Sequence, residues 1–143
     1  VSRGLGDVYK RQKAAIGEKG LTDWVFWQKK APQYQMKGVY QQADFFLLPT
    51  EYEIFGMVLL EAMFFRRVVL TTPNGGADML LRSGENGIVL EKSDPARWAE
   101  ALLDVAADPA KKARMEQAAY ETVIHENTWD ALANRFLKGY ETR

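Results

Sequence analysis

Apolar residues recur along this chain in short runs separated by helical stripes, and the alternation sets the expected architecture. Lys13 to Lys19 reads as the tail of a helix, with Gly20 placed to take the left-handed conformation that ends one. Trp24-Val25-Phe26-Trp27 is aromatic and β-branched and predicts a strand. After a polar loop containing Pro32, Tyr34 to Gln42 carries Met36, Val39 and Tyr40 in helical spacing. Phe45-Phe46-Leu47-Leu48 is a continuous apolar run closed by Pro49, the pattern of a strand covered on both faces. Ile54 to Phe65 reads as a buried helix and Val68-Val69-Leu70 as the next strand. Thr71 to Gly76 reads as a loop, Ala77 to Arg82 as a short helix, and Gly84 to Gly87 as a turn into Ile88-Val89-Leu90. Strand and helix in strict alternation predict an α/β fold: a parallel sheet, joined by right-handed crossovers, with helices on both faces.

From Ser93 onward the chain becomes helical. Ser93 or Asp94 is placed as an N-cap with Pro95 at the first helical position, and a second start recurs at Asp108-Pro109. A third helix begins around Thr128, where Trp129, Leu132, Phe136 and Tyr140 recur at intervals of three and four, the stripe of a core face or of a seam to another domain. At the other end, Val1 to Gln12 shows no convincing period of either kind and no initiator Met. Asp7-Val8-Tyr9-Lys10-Arg11-Gln12 resembles a translated sequencing-library adaptor, so residues 1–12 are expected to be non-native and 13–143 to form one partial domain.

Composition narrows the function. The 143 residues, 47% apolar and 12% aromatic, suffice for one core. Nineteen basic residues balance nineteen acidic ones, which gives no general field to steer the chain to nucleic acid or anionic lipid, so an anionic ligand must be caught locally. With no cysteine and one histidine, His125, thiolate and His-rich metal sites are excluded and a reducing cytoplasm is expected. No apolar stretch approaches the roughly 20 residues of a membrane span.

The candidate site follows from the sheet. Ligands of open parallel sheets bind at the carboxyl ends of strands, and Pro49 to Gly56 is such a loop. Gly56 permits close backbone approach, and the helix beginning there offers unpaired N–H groups and a positive dipole end, suited to a diphosphate without a lysine. Glu61 lies about 7.5 Å further along the helix, among Met57, Val58, Leu59, Leu60, Ala62 and Met63. A carboxylate there needs partners, and a ribose reaching back from its phosphates offers two hydroxyl donors. Glu53 stands on the other side, where a donor sugar would lie. Taken singly, Glu61 could instead pair with Arg66 or Arg67, and Glu53 could cap the helix.

The run as a whole is more specific. Ala43-Asp44-Phe45-Phe46-Leu47-Leu48-Pro49-Thr50-Glu51-Tyr52-Glu53-Ile54-Phe55-Gly56-Met57-Val58-Leu59-Leu60-Glu61-Ala62-Met63 resembles the hallmark segment of retaining GT-B glycosyltransferases. The similarity continues through Asn74-Gly75-Gly76, Glu85-Asn86-Gly87 and Trp129 to Tyr140. It implies the Rossmann-like C-terminal half of that fold, and an E-x7-E pair in which Glu53 binds the donor hexose and Glu61 the ribose. The amides of Phe55, Gly56, Met57 and Val58 would lie on the diphosphate, with Ile54 beside them in the substrate-binding loop. The loop Gln28 to Pro32 would border the base, and Asn74, Gly75 and Gly76 the donor sugar. It further implies transfer of a hexose, with retention and without a bound metal or cofactor, from a nucleoside diphosphate sugar to a glycan, lipid or cell-envelope acceptor. The acceptor, and any membrane contact, would engage an N-terminal domain outside this chain.

The chain departs from that pattern in two places. An arginine and a lysine that clamp the diphosphate in the family have no match before Glu18, and Phe65-Arg66-Arg67-Val68 lacks the family's usual glycine and proline. Arg66 in the glycine's left-handed conformation costs on the order of 1 kcal/mol. The first departure leaves two other readings open: a non-catalytic nucleotide-sugar-binding module, and a nucleotide-sugar epimerase of the same architecture.

Overall fold

The structure is a computed structural model that describes residues 5–28, 31–50, 52–54, 56–91 and 94–131. The chain divides into two compact units, Val1–Gln33 and Tyr34–Arg143.

In the first unit, α1 spans Leu5–Glu18 and runs through Lys13, so the helix is longer than the tail read from sequence. It ends as anticipated: Gly20 sits at φ 65°, its amide bonds to the Gly17 carbonyl and that of Leu21 to Ile16, the paired bonds of a Schellman stop. Trp24 to Trp27 does not form the expected strand. The amides of Trp24 and Val25 both turn back to the Leu21 carbonyl, and Trp24 and Phe26 remain 81% and 87% exposed. Strand propensity is realised only against a ladder partner, and among the described residues these four have none.

The second unit carries the sheet. Helix α2 (Gln33–Gln42) leads into β1 (Phe45–Leu48), α3 (Met57–Phe64), β2 (Val68–Thr71), α4 (Gly75–Leu80) and β3 (Ile88–Val89). The strands lie in the order β1-β2-β3, all parallel, with Phe45 beside Val68 and Leu70 beside Ile88. Central β2 is fully buried and divides its side chains between two layers. Val69 joins Tyr40, Leu59, Ala62, Met63, Leu80 and Ala119 on one face. Val68 and Leu70 join Trp98, Val105 and Met115 on the other. The two-faced α/β architecture anticipated from the alternation is therefore present. Strand β1, at an edge of the described sheet, is less covered than its apolar run suggested: Leu47 is 45% exposed.

Helices α5 (Pro95–Ala106) and α6 (Pro109–Glu121) begin where the sequence placed them. Asp94 accepts from the Arg97 amide and Asp108 from the Lys111 amide, each with proline at the first helical turn. After α6 the backbone widens into a π-helical turn, Thr122–Glu126, which apolar periodicity does not reveal. Its cause is polar. The buried Asn86 side chain donates to the Leu80 carbonyl and to Thr122 Oγ1 and accepts from the Arg82 amide, while Thr122 donates to the Ala118 carbonyl. Thr128 caps the start of the last helix by accepting from the Ala131 amide, and Leu132, Phe136 and Tyr140 lie outside the described residues.

Two helices end in the same way with different residues. At the end of α3, Arg66 occupies the left-handed position at φ 58°, with its amide on the Met63 carbonyl and that of Arg67 on Ala62. This is the conformation Gly20 adopts without strain, so the steric cost foreseen for Arg66 is realised. Two contacts offset it: the guanidinium lies 4.0 Å over the Tyr120 ring and donates to Gln117.

Candidate functional site

The loops that leave β1 and β2 are bound to each other at the carboxyl edge of the sheet. Thr71 Oγ1 donates to the Leu48 carbonyl at 2.9 Å, and Thr72 Oγ1 donates to Thr50 at 2.6 Å. Asn74 then closes the second loop. Its amide group donates to Thr71 Oγ1 and the Thr72 carbonyl, and its oxygen accepts from the Ala77 amide as the N-cap of α4. The helix thus starts at Gly75, two residues earlier than expected, and ends at Leu80 rather than Arg82. Gly75 and Gly76 are first-turn residues and not loop.

The first loop rests on that turn. The Gly75 amide donates to the Glu53 carbonyl at 3.2 Å. A Cβ at Gly75 would stand 2.2 Å from the Ile54 carbonyl oxygen, closer than any side chain tolerates. Glycine is required here for close approach of two backbones, and Gly76 is buried behind it.

Helix α3 begins at Met57, with Gly56 as its N-cap at φ 65°. Ile54, assigned to the helix from sequence, lies in the loop and is 72% exposed. The shift arises because the left-handed turn at Gly56 must precede the helix. The Leu59 amide is satisfied by the Gly56 carbonyl at 2.8 Å. Those of Met57 and Val58 sit in the first turn, where a helix supplies no acceptor of its own. Glu53 Oε1 accepts from the Gly56 amide at 3.1 Å, so the carboxylate is fastened to the mouth of the helix, and its Oε2 has no partner among the described residues. The capping role weighed for Glu53 is real, yet it leaves an acceptor at the edge of the site.

Glu61 is half-buried on the same helix, one turn beyond Met57. It accepts from the Tyr40 hydroxyl at 2.9 Å. Burial, and then the hydrogen bond and charge of Glu61, push the Tyr40 hydroxyl well above its ordinary pKa, so it stays a donor. The arginines considered as partners for Glu61 are engaged elsewhere. Arg67 donates to the Phe65 and Ala43 carbonyls, and Arg66 lies on Tyr120 and Gln117. Tyr40 reads in the sequence only as part of the apolar stripe of α2, although its hydroxyl is a signal: a buried polar tip there, like Glu61 in α3, needs a hydrogen-bond partner.

The structure therefore brings Glu53, Ile54, Gly56, Met57, Val58, Asn74, Gly75 and Gly76 to one edge, with Glu61 a turn further along α3. Phe55 lies outside the described residues, as do Lys29 and Lys30 of the loop Gln28 to Pro32. Asp44 is remote from the chemistry and pairs with Lys112 at 3.1 Å. A cleft of about 390 Å³ opens elsewhere, beside Ile88, Arg97 and Lys111, but its charges are already matched, Arg97 to Glu100 and Lys111 to Asp104. Among the described residues, no helix is long and apolar enough to cross a membrane.

A parallel sheet layered by helices, with glycine-lined loops meeting at its carboxyl edge, defines an α/β domain of the kind found as the Rossmann-like C-terminal half of GT-B proteins. The structural likeness is quantitative. Sucrose-phosphate synthase from Thermosynechococcus elongatus superimposes with a TM-score of 0.84 at 26% identity, over 98% of this chain and 35% of that one. Anabaena HepE, solved with UDP-glucose, gives 0.79 at 22% identity over 98% of this chain and 38% of its own. Residues 3–122 match the family described as Glycosyl transferases group 1, and the chain belongs to that family. Its relatives include the D-inositol 3-phosphate glycosyltransferases of Thermomonospora curvata, 32% identical over 90% of this chain, and of Mycolicibacterium vanbaalenii, 35% identical over 86%. The chain spans about a third of these relatives' length, 30% and 27% respectively.

Proposed function

We propose that this chain forms the donor half of a hexosyltransferase, which moves a sugar from a nucleoside diphosphate to a glycan, lipid or cell-envelope acceptor with retention of configuration. The observation that carries the reading is the mouth of α3. Its first-turn amides stand between two carboxylates, Glu53 fastened to Gly56 and Glu61 held by Tyr40. The diphosphate lies on the first-turn amides of Met57 and Val58, where the helix N-terminus attracts negative charge; the Gly56 amide, expected to join them, is already taken by Glu53. Glu61 accepts from the ribose hydroxyls. Glu53 offers its second oxygen to the hexose, which rests near Gly75 and Gly76.

In this arrangement the dipole does more in the transition state than in the ground state, because charge grows on the departing diphosphate as the glycosidic bond lengthens. The leaving diphosphate takes the acceptor's proton on the face where the sugar departs, and the reading calls for no metal ion. Acceptor binding, and any contact with a membrane face, belongs to a further domain. Membership of the glycosyltransferase family supports transfer over the epimerase, which would need additional acid and base groups. A non-catalytic binding module would share the same donor contacts.

Calorimetric titration of the chain with UDP, GDP and their glucose conjugates tests the site. One nucleotide should bind saturably and lose about tenfold in affinity on Glu61→Ala, the size of one hydrogen bond to a charged group. A folded chain that binds none of the four would overturn the reading. Hexose transfer by a longer protein containing this domain would separate enzyme from binding module.

A further inference from the structure

We infer that Tyr40 is a positioning residue that sets selectivity for an intact ribose through Glu61. The inference rests on the donor site proposed above and deepens it. Tyr40 is 3% exposed, and its ring is fixed from two sides. Phe65 stacks on it at 5.4 Å with 15° between the planes, and Phe46 meets it at 5.9 Å and 52°. A ring held this way has one place to aim its hydroxyl, and Glu61 Oε2 lies there at 2.9 Å. The geometry matters because a glutamate has three rotatable bonds, whose freezing opposes ligand binding when done at the moment of association. Tyr40 contributes to that restraint beforehand, in the folded protein.

The direction of the bond also matters. The hydroxyl has one proton, and burial together with the neighbouring carboxylate keeps that proton on the oxygen across the neutral range. Tyr40 therefore always donates and Glu61 always accepts on that side. An ionised carboxylate only accepts, so what Tyr40 adds is placement: a carboxylate held in one position selects ligand groups that donate there, as a ribose diol does and a dideoxyribose cannot. The selectivity of Glu61 is then a property of the pair, although Tyr40 itself lies in the core.

Tyr40→Phe tests this, because the ring, its two aromatic neighbours and its burial are retained while the donor is removed. The probes are UDP and 2′,3′-dideoxyuridine diphosphate, run in parallel with GDP and its dideoxy counterpart. In the unaltered chain the diol form should bind tighter than the dideoxy form. Tyr40→Phe should lower affinity for the diol form by about tenfold, leave the dideoxy form within about twofold, and have no further effect in a Glu61→Gln background. A merely structural role would lower the melting temperature and weaken both ligands alike, leaving their ratio intact. That result, or a ratio that rises in Tyr40→Phe, overturns the inference while the donor site stands. Failure of the unaltered chain to bind any of these nucleotides overturns the donor site and the inference together.

Discussion

Replacing Gly75 by alanine separates the mechanical role of the second loop from ordinary helix energetics. In a helix, alanine is favoured over glycine by about 0.5–1 kcal/mol, and Gly75 stands in the first turn of α4 at an unexceptional φ, so propensity alone predicts stabilisation. The structure predicts the opposite. The new Cβ would lie 2.2 Å from the Ile54 carbonyl oxygen. An ordinary carbon–oxygen contact needs about 3.3 Å, so the two backbones must part by about 1 Å. Separation weakens the bond from the Gly75 amide to the Glu53 carbonyl, worth about 0.5–1.5 kcal/mol, and adds overpacking of about 1–3 kcal/mol. After the propensity gain the net destabilisation is about 0.5–4 kcal/mol, a fall in melting temperature of roughly 2–15 °C. The binding effect should be larger in proportion. Glu53 and the start of α3 move with Ile54, and a displacement of about 1 Å at a positioned site costs up to about a hundredfold. Gly38→Ala is the control, since nothing lies within 4 Å of its Cβ and it sits inside α2. Calorimetry with the nucleotide that binds, together with thermal melts, reads both effects. If Gly75→Ala proves as stabilising as Gly38→Ala and binds nucleotide equally well, the coupling of the two loops is refuted.

Three further perturbations probe other parts of the structure. Arg66→Gly should change stability by less than about 1 kcal/mol, because relief of the left-handed strain and loss of the Tyr120 contact nearly cancel, whereas Arg66→Ala keeps the strain and should lose about 0.5–1.5 kcal/mol in denaturant melts. Asn86→Ala removes one acceptor and two donors from a fully buried cluster and should destabilise by about 2–4 kcal/mol, with the π-helical turn the first region to lose protection in hydrogen exchange. The raised pKa of Tyr40 has a definite sign: protonated tyrosine is favoured by folding, so its contribution is complete below the ordinary value of 10.0 and is lost as pH rises beyond it. Above that pH stability should fall more steeply in the unaltered chain than in Tyr40→Phe, by up to about 1.4 kcal/mol per pH unit. Equal slopes would contradict the burial of that hydroxyl.

Patterns that act locally were legible in the sequence, and those that depend on partners were not. Asp94-Pro95 and Asp108-Pro109 carry their helix starts in adjacent residues, and Gly20 carries its stop. The apolar run of β2 was legible because burial on both faces leaves no room for a polar residue. Trp24 to Trp27 has equal strand character, yet no neighbour pairs with it among the described residues, and sequence alone does not supply one. The helix boundaries at Ile54 and Gly75 slipped for a different reason. The left-handed turn at Gly56 and the side-chain cap at Asn74 each move a boundary by two or three residues, and apolar periodicity is blind to both. Glu53 and Glu61 were singled out by the resemblance of the whole run, not by spacing alone, whereas the contacts of Tyr40 and Asn86 were not foreseen, since they reach across 21 and 36 residues of chain.

The proposal that the mouth of α3 receives a diphosphate is tested most directly by following backbone amide resonances while UDP-glucose, and separately GDP-glucose, is added to the chain. With the productive donor, the amides of Gly56, Met57 and Val58 should shift first and saturate together, with smaller shifts at Gly75 and Gly76 and none at Arg97 or Lys111 beside the remote cleft. Saturable shifts centred on that cleft, with α3 unmoved, would contradict the assignment of the donor site.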